Sequence, residues 1–279
     1  MAKNTMVFSL FIASLPILIS AQDVSKTCFA CASTSLRSRW SLTGLPPVPD
    51  SYFGPCDDTA SIATTEPCSG PCFTLLFDDP DTITSGGTMQ ATALVVRGCH
   101  STLMQVAADR TSSTGTYCEY DSNHMAANSK GNIVSIKMLM EFCSSASCNN
   151  RPAQNGYTQN PVCSQQTNNN LINGKPLDCY ECTPQPGKNC WDSKCTKKYC
   201  MKQVTSIKNG WQIQKTCSNI NIYGIDNYCQ TFDLITNPGG MAVKNRYQQC
   251  YCKDKQYCNS TPTYRIITVI MVALVKFWL

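Results

Sequence analysis

The sequence has little histidine, little charge and no apolar run long enough to span a bilayer. His100 and His124 are the only two histidines among 279 residues, and charged side chains make up 15%. Nucleophilic hydrolysis needs a base beside a serine or cysteine, with a third group to orient it. His100 directly follows Cys99, and His124 lies in the polar run Asp121 to His124, so both read as surface-loop histidines. There is no phosphate-cradling glycine loop and no Gly-x-Ser-x-Gly elbow. No Cys-x2-Cys pair is followed by a second at zinc-ribbon spacing. The acidic runs Asp57-Asp58 and Asp78 to Asp81 do not follow EF-hand spacing. The reading is of a chain that is not an enzyme and carries no cofactor, no metal and no catalytic residue.

What the sequence does have is cysteine, 20 in all. So many thiols beside two histidines read as disulfides, which places the chain in an oxidising compartment. The ends agree. Residues 1–21 have a basic Lys3, an apolar stretch from Val7 to Ile19 and a small residue, Ala21, for cleavage before Gln22, the layout of a secretory signal. At the other end an apolar run from Ile266 to Val275 is followed by Lys276 and three last residues. Three readings stand for residues 260–279: a glycolipid-anchor signal that is removed, a single spanning helix, or a plain secreted tail. The small residues upstream favour the first, with Asn259 and Ser260 as candidate attachment sites. Asn259-Ser260-Thr261 is also the only N-glycosylation sequon, which makes Asn259 the candidate glycan acceptor.

Nine cysteines lie from Cys28 to Cys148 and ten from Cys179 to Cys258, with Cys163 between the groups. Residues 150–177 are rich in Asn, Gln and Pro and read as a flexible linker between a domain at 22–149 and another at 178–259. Short apolar runs bounded by turn residues predict β structure in both. Val204 to Ile207 and Trp211 to Ile213 flank Asn209-Gly210, the signature of a tight hairpin. A second hairpin is expected around Asn237 to Gly240, and a longer one with arms Cys72 to Phe77 and Ala91 to Val96. Sheets this small bury little apolar area, so crosslinks are expected to supply much of the stability.

The second cysteine cluster opens as Cys179-Tyr-Glu-Cys182 and closes as Cys258-Asn259. It resembles the three-finger domains of the lymphocyte-antigen and urokinase-receptor type over residues 178–259. The resemblance implies the pairs Cys179–Cys200, Cys182–Cys190, Cys195–Cys217, Cys229–Cys250 and Cys252–Cys258. It also implies that the closing asparagine supports the base of the fold. The first cluster, from Cys28-Phe-Ala-Cys31 through Arg97-Gly98-Cys99 to Cys148-Asn149, resembles the ET module, a related cysteine-rich extracellular module. The three-finger order then implies Cys28–Cys72, Cys31–Cys56, Cys68–Cys99 and Cys143–Cys148. Cys118 is left over because Phe142 stands where the family has a cysteine. It either pairs with Cys163, or both are free or bridge to another chain; the first avoids unpaired thiols in an oxidising compartment.

Charge divides the chain. From 28 to 148 there are 6 Lys/Arg against 11 Asp/Glu, a net of −5; from 178 to 262 there are 11 against 6, a net of +5. The two parts are therefore expected to attract one another or to orient the molecule toward partners of opposite sign. Trp40 beside Arg37 and Arg39, Trp211 after its hairpin turn, and the basic Lys197-Lys198 are the candidate partner contacts. The expectation is an all-β, disulfide-rich recognition protein. It would be tethered to the outer leaflet at the extracellular face of the plasma membrane and would bind a receptor, channel or adhesion protein through its loop tips, not nucleic acid. A secreted toxin-like modulator and a structural coat protein are the alternatives.

Overall fold

A computed structural model describes residues 26–57, 62, 64–83, 92–106, 117–130, 132–153, 176–186, 193–207, 210–236 and 243–260. The first half contains β1 (Lys26–Phe29), β2 (Cys31–Ser33), β3 (Phe53–Gly54), β4 (Thr65–Cys68), β5 (Cys72–Asp78), β6 (Ala93–Cys99), β7 (Tyr117–Ala127) and β8 (Ile133–Cys143). The second half contains β9 (Leu177–Pro186), β10 (Ser193–Lys197), β11 (Tyr199–Ile207), β12 (Gly210–Ser218), β13 (Tyr228–Thr236) and β14 (Val243–Cys252). A five-residue helix, His100–Met104, follows β6.

β1 and β4 form a two-stranded ribbon, and the other strands make two six-stranded sheets in the orders β3-β2-β6-β5-β8-β7 and β10-β9-β12-β11-β14-β13. In each, a central strand (β5, β11) pairs antiparallel with the strand after it (β6, β12) and with the last strand of its half (β8, β14). The architecture is thus all-β apart from short helical turns. The hairpin expected at Asn209-Gly210 is β11–β12, with Ser206 opposite Trp211. The other two are β13–β14 and β5–β6.

Strand sequence follows burial. β5 reads Cys-Phe-Thr-Leu-Leu-Phe-Asp and is buried at every position, as expected of a strand covered on both faces. Phe73, Leu75 and Phe77 enter the main core, while Leu76 packs with Val95, Leu139 and the Cys31–Cys56 bridge. β14, with one face covered, alternates instead.

Eight disulfides join described cysteines: Cys28–Cys72, Cys31–Cys56, Cys68–Cys99, Cys143–Cys148, Cys179–Cys200, Cys195–Cys217, Cys229–Cys250 and Cys252–Cys258. Each is a pair that the three-finger order implies. Cys118 and Cys182 are also disulfide-bonded; the partners expected for them, Cys163 and Cys190, lie outside the described residues. β13 sets Cys229 opposite Cys250, whereas β7 sets Cys118 opposite Glu141. The register therefore puts Glu141, not Phe142, in the place of the absent cysteine. Glu141 accepts two hydrogen bonds from Arg151, at 2.7 and 2.6 Å.

Each half closes on one asparagine. The Asn149 amide donates to the carbonyls of Phe29 (2.9 Å) and Phe73 (3.1 Å) and accepts from Phe29 N–H (3.0 Å). The Asn259 amide donates to Tyr180 (2.9 Å), Met201 (3.1 Å) and Thr216 (3.4 Å) and accepts from Tyr180 N–H (3.1 Å). Buried Arg97 completes the first base, donating to the carbonyls of Cys56 (3.2 Å), Asn149 (2.7 Å) and Arg151. Ala153 N–H reaches Asp57 O at 3.0 Å. The packed first half therefore runs to Ala153, past the linker start expected at residue 150; residues 154–175 lie outside the described set, as do the proposed signal and anchor.

Candidate functional site

The two sheets are not held apart. One apolar core takes Trp40, Leu45, Phe73, Met140 and Phe142 from the first half and Ile220, Ile222, Tyr223 and Phe232 from the second. The seam between them is where the unusual chemistry collects.

Its polar part is built on edge strand β7, whose Glu119 and Asp121 are each 1% exposed. Bare sheet edges invite uncontrolled pairing, and inward charges are one way of blocking it; here those charges are met by the other half. Lys197 Nζ donates to both Asp121 oxygens, at 2.9 and 2.8 Å, and Asn219 N–H adds a third bond at 3.0 Å. Glu119 accepts from Tyr199 O–H (2.8 Å), Asn221 N–H (2.8 Å) and Lys198 Nζ. Burial pushes the Asp121 carboxyl up, but Lys197, Asn219 and His124 outweigh it and hold the group below the usual carboxylate range. Buried carboxylates are tolerable when their lone pairs are filled in this way. The opposite net charges of the two halves thus meet inside the molecule.

Its apolar part turns on Tyr223 and Gly224. Tyr223 O–H donates to Gly44 O across the seam at 3.2 Å. Gly224 sits at φ +63°, and a Cβ there would lie 3.0 Å from the Phe142 ring, so positive φ and close approach both require glycine. His100 packs edge-on to Phe142, ring centroids 4.6 Å apart, beside Tyr223 and Gly224. Burial pulls His100 down to about 4; the Tyr223 backbone opposes this weakly, and neither ring nitrogen has a hydrogen bond of ordinary geometry. His124 is brought down to about 4 by burial, with Lys197 acting in the same direction and Asp121 opposing. Its Nδ1 lies 4.0 Å from Asp121 and has no hydrogen-bond partner. Both histidines are therefore buried at the seam, which corrects the surface-loop reading. His124 lies within β7, before the turn that Asn128 and Asn132 close.

Beside His124 a cleft of about 230 Å³ opens between the Ser41–Gly44 turn, β7 and the face of the second sheet. No side chain lining it carries a formal charge, the neutral His124 included. The second sheet carries a cross-strand row of glutamines, Gln214–Gln203–Gln249–Gln230, from β12, β11, β14 and β13, of which the first three line the cleft. A neighbouring row runs Gln212–Thr205–Tyr247–Phe232.

The candidate contacts fall in different places. Trp40 is 7% exposed, donates its N–H to Leu45 O (3.1 Å) and Pro46 O (2.9 Å), and meets Phe53 edge-on; it is core, because that loop folds back on β3. Arg39 is held by Asp79 and Asp81, each at 2.7 Å. Arg37 is exposed and lies over Phe53 at 5.5 Å. Lys197 and Lys198 face the acids of the first half, not an outside partner. Trp211, at 38%, is the only large hydrophobic side chain exposed among the described residues. Asn259 is buried, and the nitrogen a glycan would need points at three carbonyls; Ser260 is half-buried beside it. Cys252, Asp254 and Cys258 cluster at one end, but the two cysteines are bonded to each other.

Sequence reasoning missed Glu119, Asp121 and the glutamine row. The glutamines were readable only as every second residue of a strand, Gln203 on β11 and Gln212 and Gln214 on β12, once the strand pairing was known. Among known proteins, no family model, no curated protein and no solved structure matches this chain. The small, disulfide-rich, almost all-β architecture is consistent with the general three-finger class.

Proposed function

We propose that the chain is an extracellular recognition protein made of two three-finger-like modules, the first of ET-module type. The tail after Ser260 would tether it to the outer leaflet through a glycolipid. Its hairpins present side chains to a protein partner and perform no catalysis.

The observation that carries this reading is Trp211. It stands near the tip of β11–β12, a hairpin crosslinked at its base by Cys195–Cys217 and Cys179–Cys200. An exposed tryptophan on a rigid mount suits an interface anchor, since little ordering entropy is lost on binding. Trp40, Lys197 and Lys198 drop out of the contact set because the fold uses them internally.

The test is binding of the purified protein to a panel of cell lines. Saturable binding is expected on at least one, and Trp211→Ala should weaken it about thirtyfold, the usual cost of losing a hot spot. Equal binding by the variant would place the contact elsewhere. On producing cells, phosphatidylinositol-specific phospholipase should release the chain; retention after treatment would argue for a spanning tail.

A further inference from the structure

We infer that the cleft beside His124 is a binding site for a neutral, polyhydroxylated ligand, a single sugar residue of a glycan or a free saccharide. The inference is independent of the Trp211 reading, because the cleft lies on the sheet face at the seam and not at the hairpin tip.

The lining sets the chemistry. With no formally charged side chain in its lining, the cleft offers little to offset the desolvation of a carboxylate, phosphate or ammonium. What it offers is amides. The side chains of Gln203, Gln212 and Gln214 make no hydrogen bond among the described residues, while Gln249 uses its nitrogen on Tyr251 O–H at 2.9 Å. An amide presents one acceptor and two donors, matching a hydroxyl, which is itself both. Neighbouring strands carry these amides about 4.8 Å apart, so several can address one ring.

His124 also lines the cleft. It is 9% exposed, but its Nδ1 is closed off from solvent and lies 4.0 Å from Asp121, so the ring contributes wall surface and the glutamine amides carry the hydrogen bonding. Tyr247 and the methionines Met125, Met138 and Met201 add apolar surface for the carbon face of a sugar. A peptide fits less well, because extended peptides are captured by backbone pairing along a strand edge, whereas most of this lining is side chains on the face of the second sheet. The volume lies below the range of about 300–1,000 Å³ usual for drug-sized ligands, which suits one sugar residue and not an extended chain.

The experiment uses the purified, fully oxidised protein with carbon-13 methionine methyl groups, since three methionines line the cleft. Glucose, galactose, mannose and N-acetylglucosamine are titrated to about 50 mM, enough to approach saturation for a millimolar Kd. Glucuronate and N-acetylglycinamide serve as charged and peptide-like probes. At least one neutral sugar should shift the methyls of Met125, Met138 and Met201 saturably. Both other probes should be at least tenfold weaker, and Gln203→Ala with Gln214→Ala should weaken sugar binding about tenfold or more. If that double variant is not secreted, the native titrations decide. No shift with any neutral sugar, equal shifts with glucuronate or N-acetylglycinamide, or undiminished binding in a folded double variant would each overturn the inference.

Discussion

Two asparagines show how much a single side chain does here. Asn149 and Asn259 each tie the first strand of their half to a central strand through both ends of the amide. Alanine at either position strands several buried backbone groups, at about 1–3 kcal/mol apiece. Asn149→Ala and Asn259→Ala should therefore lower the urea midpoint sharply. Aspartate, which lacks the donors, should not rescue either. Peptide mapping of the protein made in eukaryotic cells should find Asn259 without glycan, because its nitrogen is committed inward. The Cys-Asn endings at Asn149 and Asn259 were plain in the sequence. The two histidines were not: polar neighbours around His124 suggest a loop, and only the arrival of the second half buries it.

Among the elements, β7 is the one whose character depends most on a distant partner. Its length and position follow from pairing with β8, yet Glu119 and Asp121 face an interface that no local pattern announces. The sequence did carry the cause in coarse form, as an acidic half and a basic half of equal and opposite net charge. It could not say which lysines would dock, because Lys197-Lys198 reads equally well as an exposed basic patch. Asp121→Asn and Lys197→Met test the contact. Asp121→Asn alone should cost about 3 kcal/mol, since it leaves Lys197 without its charge partner in a largely buried setting. The double variant should cost less than the sum of the singles, by about 0.5–3 kcal/mol in urea denaturation. Additive losses would mean that the two side chains do not meet in solution. Strands that end on cysteines or on Asn-Gly turns, such as β5, β11 and β12, were legible because crosslink and turn chemistry are local.

At the scale of the whole molecule the seam makes the two halves sensitive to acid together. His100 and His124 stay neutral down to about 4, against 6.5 for an ordinary histidine. Between those values the unfolded chain binds protons that the fold refuses. Stability is therefore full above pH 6.5 and falls as pH drops toward 4, by about 3 kcal/mol per histidine at the acid end. Asp121, held below the usual carboxylate range, adds a further loss under still more acid conditions. Urea midpoints measured from pH 7.5 to 4 should show this slope, and His124→Gln should remove about half of it. A flat profile would place both rings in contact with water. Every described disulfide, meanwhile, closes within its own half, over separations of 5 to 44 residues. During synthesis the amino-terminal half can oxidise Cys28–Cys72, Cys31–Cys56, Cys68–Cys99 and Cys143–Cys148 before Cys179 has left the ribosome, which keeps the later cysteines from competing for the earlier ones. Docking of the two halves then comes last, and until Lys197 and Lys198 arrive Glu119 and Asp121 stand uncovered on the edge of the amino-terminal sheet.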